Sequence, residues 1–275
     1  MGSGFRVPQL VLSTSVSRLR PLSCLASAAA DAGMDGLDLD LGGRRFAPRS
    51  GVTLARAASL GAPVRAVWLP PAAVTGGWRA AAWRAATVEL AAGGGGRVVV
   101  RLPNAASYVG RVQVTAVTEP LRHLIGSQGR VAVCLPSRWL VGGRAHLVQL
   151  GSLRRLAEEW DFDLALDLTG TIDPQWEAEA AVLRLGRRVV LLRVAAMPSA
   201  QATDARGRLT ARALVPALES GMVETIVLAP SVAPWHLTRA GIAAAAADIA
   251  SQVRSRQARC QAIGTHSFKP PARFR

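Results

Sequence analysis

The sequence predicts an α/β protein, a single-domain (β/α)8 TIM barrel. Two observations carry that expectation. Eight short strand signals alternate with helical stretches between Gln9 and Val253, and eight such units in about 250 residues is the size of this fold. The rival architecture, an open doubly wound sheet, favours a glycine fingerprint after its first strand. Here that position reads Ser13-Thr14-Ser15-Val16-Ser17, with no glycine.

The elements follow in order. The first strand is Gln9 to Ser15, and a helix from about Leu22 stops at Gly33, since glycine readily takes the left-handed conformation that ends a helix. The second strand is Gly36 to Leu41 and the third Val64 to Leu69. Trp78 to Ala92 is helical, and the run Gly93 to Gly96 stops it before the fourth strand, Arg97 to Leu102. A helix tail at Glu119 to Ile125 precedes the fifth strand, Arg130 to Leu135. The helix His146 to Trp160 leads to the sixth strand, Phe162 to Gly170.

That sixth strand, FDLALDLTG, has the clearest pattern. Leu164, Leu166 and Leu168 alternate with Asp163, Ala165, Asp167 and Thr169, the period of two that marks a strand. A carboxylate near the end of a buried parallel strand is costly unless something pairs with it, which makes Asp167 the pivotal residue. Asp173-Pro174 is a helix start, an N-cap with proline at the first position, and that helix runs to Gly186. The seventh strand is Val189 to Val194, a helix covers Thr210 to Ser220, and the eighth strand is Thr225 to Leu228. A last helix covers about Pro234 to Val253. The barrel is expected to span 1–253, with a basic C-terminal extension at 254–275, flexible or docked, in which Arg254, Arg256, Arg259, Lys269, Arg273 and Arg275 meet no acid.

Composition limits the function classes. The chain has 275 residues, half of them hydrophobic, enough for one large core. No apolar run reaches the roughly 20 residues of a membrane helix, and the N-terminus lacks the pattern of a signal peptide. Cys24, Cys134 and Cys260 are far apart with no CxxC spacing, so disulfides and zinc knuckles are not expected and a cytoplasmic location is. The net charge of +15 would suit nucleic acid, but all of the 33 basic residues except Lys269 are arginine, scattered along the chain. That reads as the codon bias of a GC-rich genome, and charge alone reports nonspecific affinity.

In such a barrel, function sits at the C-terminal ends of the strands. The inward residues at that end are Ser13 or Ser15, Asp38 and Asp40, Trp68, Arg101, Cys134, Asp167 and Thr169, Arg193, and Ala229 with Ser231. Asp38, Asp40 and Asp167 are read as salt-bridged core acids ahead of catalytic bases, with Asp40 alternatively reaching solvent at its strand end. Trp68, Trp139 and Trp235 stand at or after strand ends, where they stack on a ligand ring or lid the barrel. Arg206 and Arg208 fall in the loop after the seventh strand, a frequent place for a phosphate site. Cys134 as a nucleophile needs a base, and His146 is the nearest candidate; a small core residue is the simpler reading.

With these stretches in place, the chain resembles the xylose isomerase-like barrels, the sugar isomerase and epimerase superfamily that also holds the endonuclease IV-type DNA repair enzymes. AADAGMDGLDLDL, ELAAGGGGRVVVRLPN, LALDLTG and ALVPALESGMVETIVLAP carry the likeness. The resemblance implies a divalent metal held by Glu on the fifth strand, Asp on the sixth, His on the seventh and Glu on the eighth. Those positions here hold Cys134, Asp167, Arg193 and Ala229, while Arg101 stands where a fourth-strand His is common and Asp38 replaces a second-strand Glu. Arginine cannot ligate a metal, because its guanidinium offers only donors. The expected site is therefore metal-free and cofactor-free, with Arg101 and Arg193 balancing Asp38 and Asp167.

Three functions follow as expectations. The first is a pocket for a small anionic, sugar-like ligand, lined by Trp68, Cys134, Thr169, Arg206 and Arg208, with little or no metal-dependent catalysis. The second is an active sugar or sugar-phosphate isomerase or epimerase, with Asp167 or Asp38 as base and Arg101 or Arg193 polarising a carbonyl. The third is a nucleic-acid-binding relative of the endonuclease IV-type barrels. Enzyme or binding protein stays open at this point, as does the oligomeric state.

Overall fold

The computed structural model describes residues 7–16, 20–41, 62–69, 96–101, 131–134, 154–155, 157–159, 161–169, 182, 185–196, 223–230 and 238–266. Eight strands close into a barrel in sequence order: β1 Gln9–Ser13, β2 Gly36–Asp40, β3 Val64–Trp68, β4 Arg97–Arg101, β5 Val131–Cys134, β6 Asp163–Asp167, β7 Val189–Ala196 and β8 Thr225–Pro230. Every neighbouring pair is parallel, and β8 returns to β1 through Val11↔Val227. Two helices are described in full extent, α1 Leu22–Asp31 and α2 Arg239–His266.

The strand ends differ from the sequence expectation for local reasons. β1 stops at Ser13 and turns into a short 3-10 segment, Thr14–Val16. Side-chain oxygens claim the backbone amides there: Ser15 N–H donates to Ser13 Oγ at 3.3 Å and Asp40 N–H to Thr14 Oγ1 at 3.2 Å. Hydroxyls of this kind compete with ladder bonds. β6 ends at Asp167 rather than Gly170 because Thr169 N–H turns back to Asp167 Oδ1 at 3.1 Å, the turn that aspartate favours. β7 runs on to Ala196 because β8 keeps pairing with it there.

α1 ends as expected, with Gly33 at φ +64°. α2 continues past Val253 to His266. Its buried stripe runs Ile242, Ala246, Ile249, Val253 and then the polar Gln257, so the apolar signal stops at Val253 while the helix runs on to His266. Arg254 holds this segment to α1, donating from Nη2 to Gly33 O at 2.5 Å. The expected helices at 78–92, 119–125, 173–186 and 210–220 fall wholly or largely outside the described residues.

The pleat decides what enters the barrel. Val11, Ala66, Val99, Ala132, Ala165, Leu191 and Val227 pack into one cluster in the lumen. Leu12 and Leu37 face the other way, onto α1 and α2 with Leu25, Ala28, Ile242 and Ala246. On β6, accordingly, it is the Asp163, Ala165 and Asp167 side that fills the lumen. Gly36 lets β2 approach β3: a Cβ there would sit 2.1 Å from the Pro63 carbonyl oxygen, at φ +151°.

At the N-terminal end of the lumen, Arg97 bridges Asp163 and Glu224. The arginine is buried and its partners are partly exposed. Arg97→Met is expected to cost about 1–3 kcal/mol, the range for stranding a charged partner, read from the urea midpoint at constant slope.

Candidate functional site

Register places the chemistry at the opposite end. Ser13 stands beside Asp38, Asp40 beside Trp68, Arg101 beside Cys134 and Asp167 beside Arg193. Each of these residues continues the inward parity of its strand, so eight side chains from seven strands meet at this end of the lumen, Trp68 and Cys134 as part of its apolar cluster.

Arg193 lies at their centre and is 2% exposed. Its Nη1 donates to Asp40 Oδ2 at 3.1 Å and to Asp167 Oδ2 at 3.4 Å. Its Nη2 donates to Ser13 Oγ at 2.9 Å and Ser15 Oγ at 2.7 Å. Its Nε is buried without a hydrogen-bond partner, 3.8 Å from Asp38 Oδ2. Arg101 grips Asp40 with both Nη atoms at 2.9 Å, the two-pronged geometry that suits a carboxylate, and reaches Asp167 at 3.5 Å. Both guanidinium groups also lie on the Trp68 ring, 4.5 Å and 5.0 Å from its centroid, where the ring quadrupole favours a cation.

The three acids sit in different environments. Asp38 is sealed, accepting from Trp68 Nε1 and, at 2.9 Å, from Ser13 Oγ. Burial pushes its carboxyl up to about 6, with Asp40 adding to the rise and Arg193 opposing it. Burial alone would raise Asp40 too, but its bonds to Arg101 and the charges of Arg101 and Arg193 outweigh that and hold it at about 2. Asp167 Oδ1 accepts from the hydroxyl and amide of Thr169 at 2.5 Å and 3.1 Å, leaving Oδ2 to the two long arginine contacts. Burial would lower the pKa of Arg193, yet the charges of Asp38, Asp167 and Asp40 raise it, so it stays a cation.

A divalent metal does not fit this donor set. Such ions want several oxygen ligands, and here a guanidinium already stands among the carboxylates. Cys134, on the fifth strand, is a buried thiol pushed well above the usual range by burial and by the Asp167 charge. Ala229 offers no side-chain donor. Among the described residues no group of three or more His, Cys, Asp or Glu is arranged to hold a metal.

The expected residues Asp38, Asp167, Arg101, Arg193, Trp68, Cys134 and Thr169 thus come together at one mouth. Trp68 and Cys134 are 0% and 2% exposed, so they support the mouth from below, and the Trp68 ring meets arginine there. Arg206 and Arg208, with Trp139, Trp235, His146 and Ser231, lie outside the described residues. Asp40 is held by both arginines and stays only partly exposed, the salt-bridged arrangement expected of these acids instead of free reach into solvent. The balance is therefore three acids against two arginines. Ser13 and Ser15 prove to be ligands of Arg193, which their inward parity hinted at and their neutral side chains concealed.

The sequence matches no family model and no curated protein. Solved structures do share the fold. A xylose isomerase domain protein from Alicyclobacillus acidocaldarius superposes with TM-score 0.56 at 15% identity, over 93% of this chain and 100% of that one. An L-ribulose 3-epimerase gives 0.60 at 14% identity over 98% and 100%. A sugar phosphate isomerase/epimerase from Parabacteroides distasonis gives 0.57 at 12% identity over 89% and 94%. At such identities the likeness is one of fold, and the fold is that of the xylose isomerase-like barrels. No helix among the described residues is long and apolar enough to cross a membrane.

Proposed function

We propose, from a barrel that shares its fold with xylose isomerase-like isomerases and epimerases, that this chain binds a small anionic, sugar-like ligand at its mouth without a divalent metal. The observation that carries this reading is Arg193, whose guanidinium lies within 3.8 Å of Asp38, Asp40 and Asp167. A cation is thereby supplied by the chain itself. Arg101 is the more exposed of the two arginines, at 29%, and with Ser15, Asp167 and Thr169 it forms the polar rim a ligand would meet. An anionic group would sit against the free edge of Arg101, while ligand hydroxyls would donate to Asp167 Oδ2.

The long contacts at that same oxygen, 3.4 Å and 3.5 Å, favour one second reading. Asp167 Oδ2 is the carboxylate oxygen least committed to strong donors. It could take a proton next to a ligand carbonyl while Arg101 polarises the carbonyl oxygen, which is the proton transfer of an isomerase or epimerase. Asp38 is too deeply sealed to touch a ligand under either reading.

Thermal unfolding with sugar phosphates, sugar acids and neutral sugars, each with and without EDTA, tests the proposal. A ligand at about a hundred times its dissociation constant adds about 2.7 kcal/mol, a shift of several degrees. Anionic members should raise the melting temperature equally with and without chelator, and Arg101→Ala should abolish the effect. A near-stoichiometric divalent metal in protein purified without chelator, lost in Asp167→Ala, would overturn it. Incorporation of solvent deuterium into a bound sugar, absent in Asp167→Asn, would establish the second reading.

A further inference from the structure

Arg193 is 2% exposed, so its guanidinium cannot itself meet a ligand, yet one of its hydrogen bonds leads to the mouth. Donor and lone-pair capacity decides what arrives there. Ser13 Oγ accepts from Arg193 Nη2 at 2.9 Å and from the Ser15 amide at 3.3 Å, which fills both its lone pairs. Its hydrogen goes to Asp38 Oδ2 at 2.9 Å. Ser13 is therefore complete, and the 3.0 Å separation of the two serine oxygens is a contact with no hydrogen between them. Ser15 Oγ accepts from Arg193 Nη2 at 2.7 Å, and its own hydrogen is left without an acceptor among the described residues. Thr169, the other partly exposed hydroxyl of the cluster, gives its hydrogen to Asp167 Oδ1.

We propose that Ser15 is the donor through which the buried Arg193 acts on a ligand: its hydroxyl hydrogen faces the mouth and takes a ligand oxygen that carries no hydrogen, that of a carboxylate, carbonyl or phosphoryl group. This role rests on the ligand reading above; the direction of the hydrogen does not. Ser15 touches the ligand, and Arg193 is a positioning residue behind it.

The surroundings make Ser15 a stronger donor than an isolated serine. A cation engages its oxygen at 2.7 Å, in the short range of charge-assisted bonds. A hydroxyl polarised in this way gives a stronger bond from its hydrogen. Ser15 stands in the Thr14–Val16 turn that follows β1, half-buried, beside a wholly buried Ser13. On the same guanidinium, Nη1 donates to Asp167 Oδ2, a carboxylate oxygen that only accepts. One arginine thus sets a donor and an acceptor at the mouth, from the β1 turn and from β6. A ligand that carries both a hydrogen-free oxygen and a hydroxyl meets both.

Neutron diffraction from deuterated crystals of the full chain locates the hydrogen without a ligand. The deuteron on Ser13 Oγ should point to Asp38 Oδ2 and that on Ser15 Oγ to water in the mouth. A deuteron on the line from Ser15 to Ser13 overturns the inference. Titration of the full chain with gluconate, inorganic phosphate and sorbitol, followed by amide NMR shifts, tests the role. Ser15→Ala should weaken gluconate and phosphate about tenfold or more, as expected for losing a hydrogen bond to a charged group, and sorbitol only a few-fold. Ser15→Thr keeps the hydroxyl and should restore the wild-type affinity. A loss confined to gluconate assigns a carboxylate to this donor, and one confined to phosphate assigns a phosphoryl group. An equal loss for all three, as from a merely structural role, or no loss for any probe that binds, overturns the role of Ser15 and leaves the ligand reading standing. If none of the three binds the wild type, it is the ligand reading that fails, and the role of Ser15 with it.

Discussion

Replacing Arg193 with methionine is expected to cost about 3–5 kcal/mol, the range for removing one partner of a buried charge cluster. The side chain is nearly sealed and donates four hydrogen bonds, to Asp40, Asp167, Ser13 and Ser15. Its loss leaves acids facing one another at the mouth with only Arg101, among the described residues, to oppose them. Arg193→Lys should recover little of this. An ammonium is a single point of charge and cannot span two carboxylates and two hydroxyls as the planar guanidinium does. Equilibrium unfolding in urea reads the effect. Guanidinium chloride should be avoided, because the free ion matches the vacated space and would mask the loss. A cost below about 1 kcal/mol, typical of an exposed pair, would show that the cluster does not depend on its central cation.

The second large effect is on pH dependence. Asp38 has its midpoint raised from 3.8 to about 6 in the folded protein. Between those values the unfolded chain has released the proton while the native chain still holds it. The stabilisation is complete below about 3.8 and is lost as pH rises through about 6, by about 3 kcal/mol in all. Asp40 behaves in the opposite sense, with its midpoint lowered from 3.8 to about 2. Its contribution is complete above about 3.8 and is lost as pH falls through about 2. Of these two acids, both contributions are present near pH 4, where Asp38 is neutral and Asp40 is ionised against Arg101 and Arg193. Asp38→Asn should remove the loss between pH 4 and 6, since an amide does not titrate and can still accept from Trp68. The stability difference between wild type and Asp38→Asn, followed across pH, isolates this group from the general repulsion of a chain carrying +15. A flat difference curve from pH 4 to 7 would mean that Asp38 is ionised throughout and is fully compensated by Arg193.

Local patterning was enough to find the strands. Alternation in GLDLDL and DLALDL marks two of them, and the same parity puts Asp38, Asp40 and Asp167 on the lumen side. The barrel rule then selects the C-terminal ends, so the mouth and most of its residues follow from sequence. The adjacency of Asp167 and Arg193 follows too, since they end consecutive parallel strands. That Arg193 cannot be a metal ligand is likewise a matter of residue type, because a guanidinium offers only donors.

What the sequence could not decide is depth and partnership across the lumen. Asp38 and Asp40 are two residues apart on one strand, roughly 7 Å in height, and nothing local says which of them is sealed. The closed barrel decides it: Trp68 and Ser13 close over Asp38, while Arg101 reaches from β4 across to Asp40 on β2. These contacts join residues that are 25 to 61 positions apart. They depend on the stagger of strands around the barrel, including the register shifts in β2–β3 and β6–β7. Residue chemistry and period-two alternation thus determined which groups enter the mouth of this barrel. Only ring closure, which fixes the height of each strand against those across the lumen, decided which acid stays dry and which cation each acid meets.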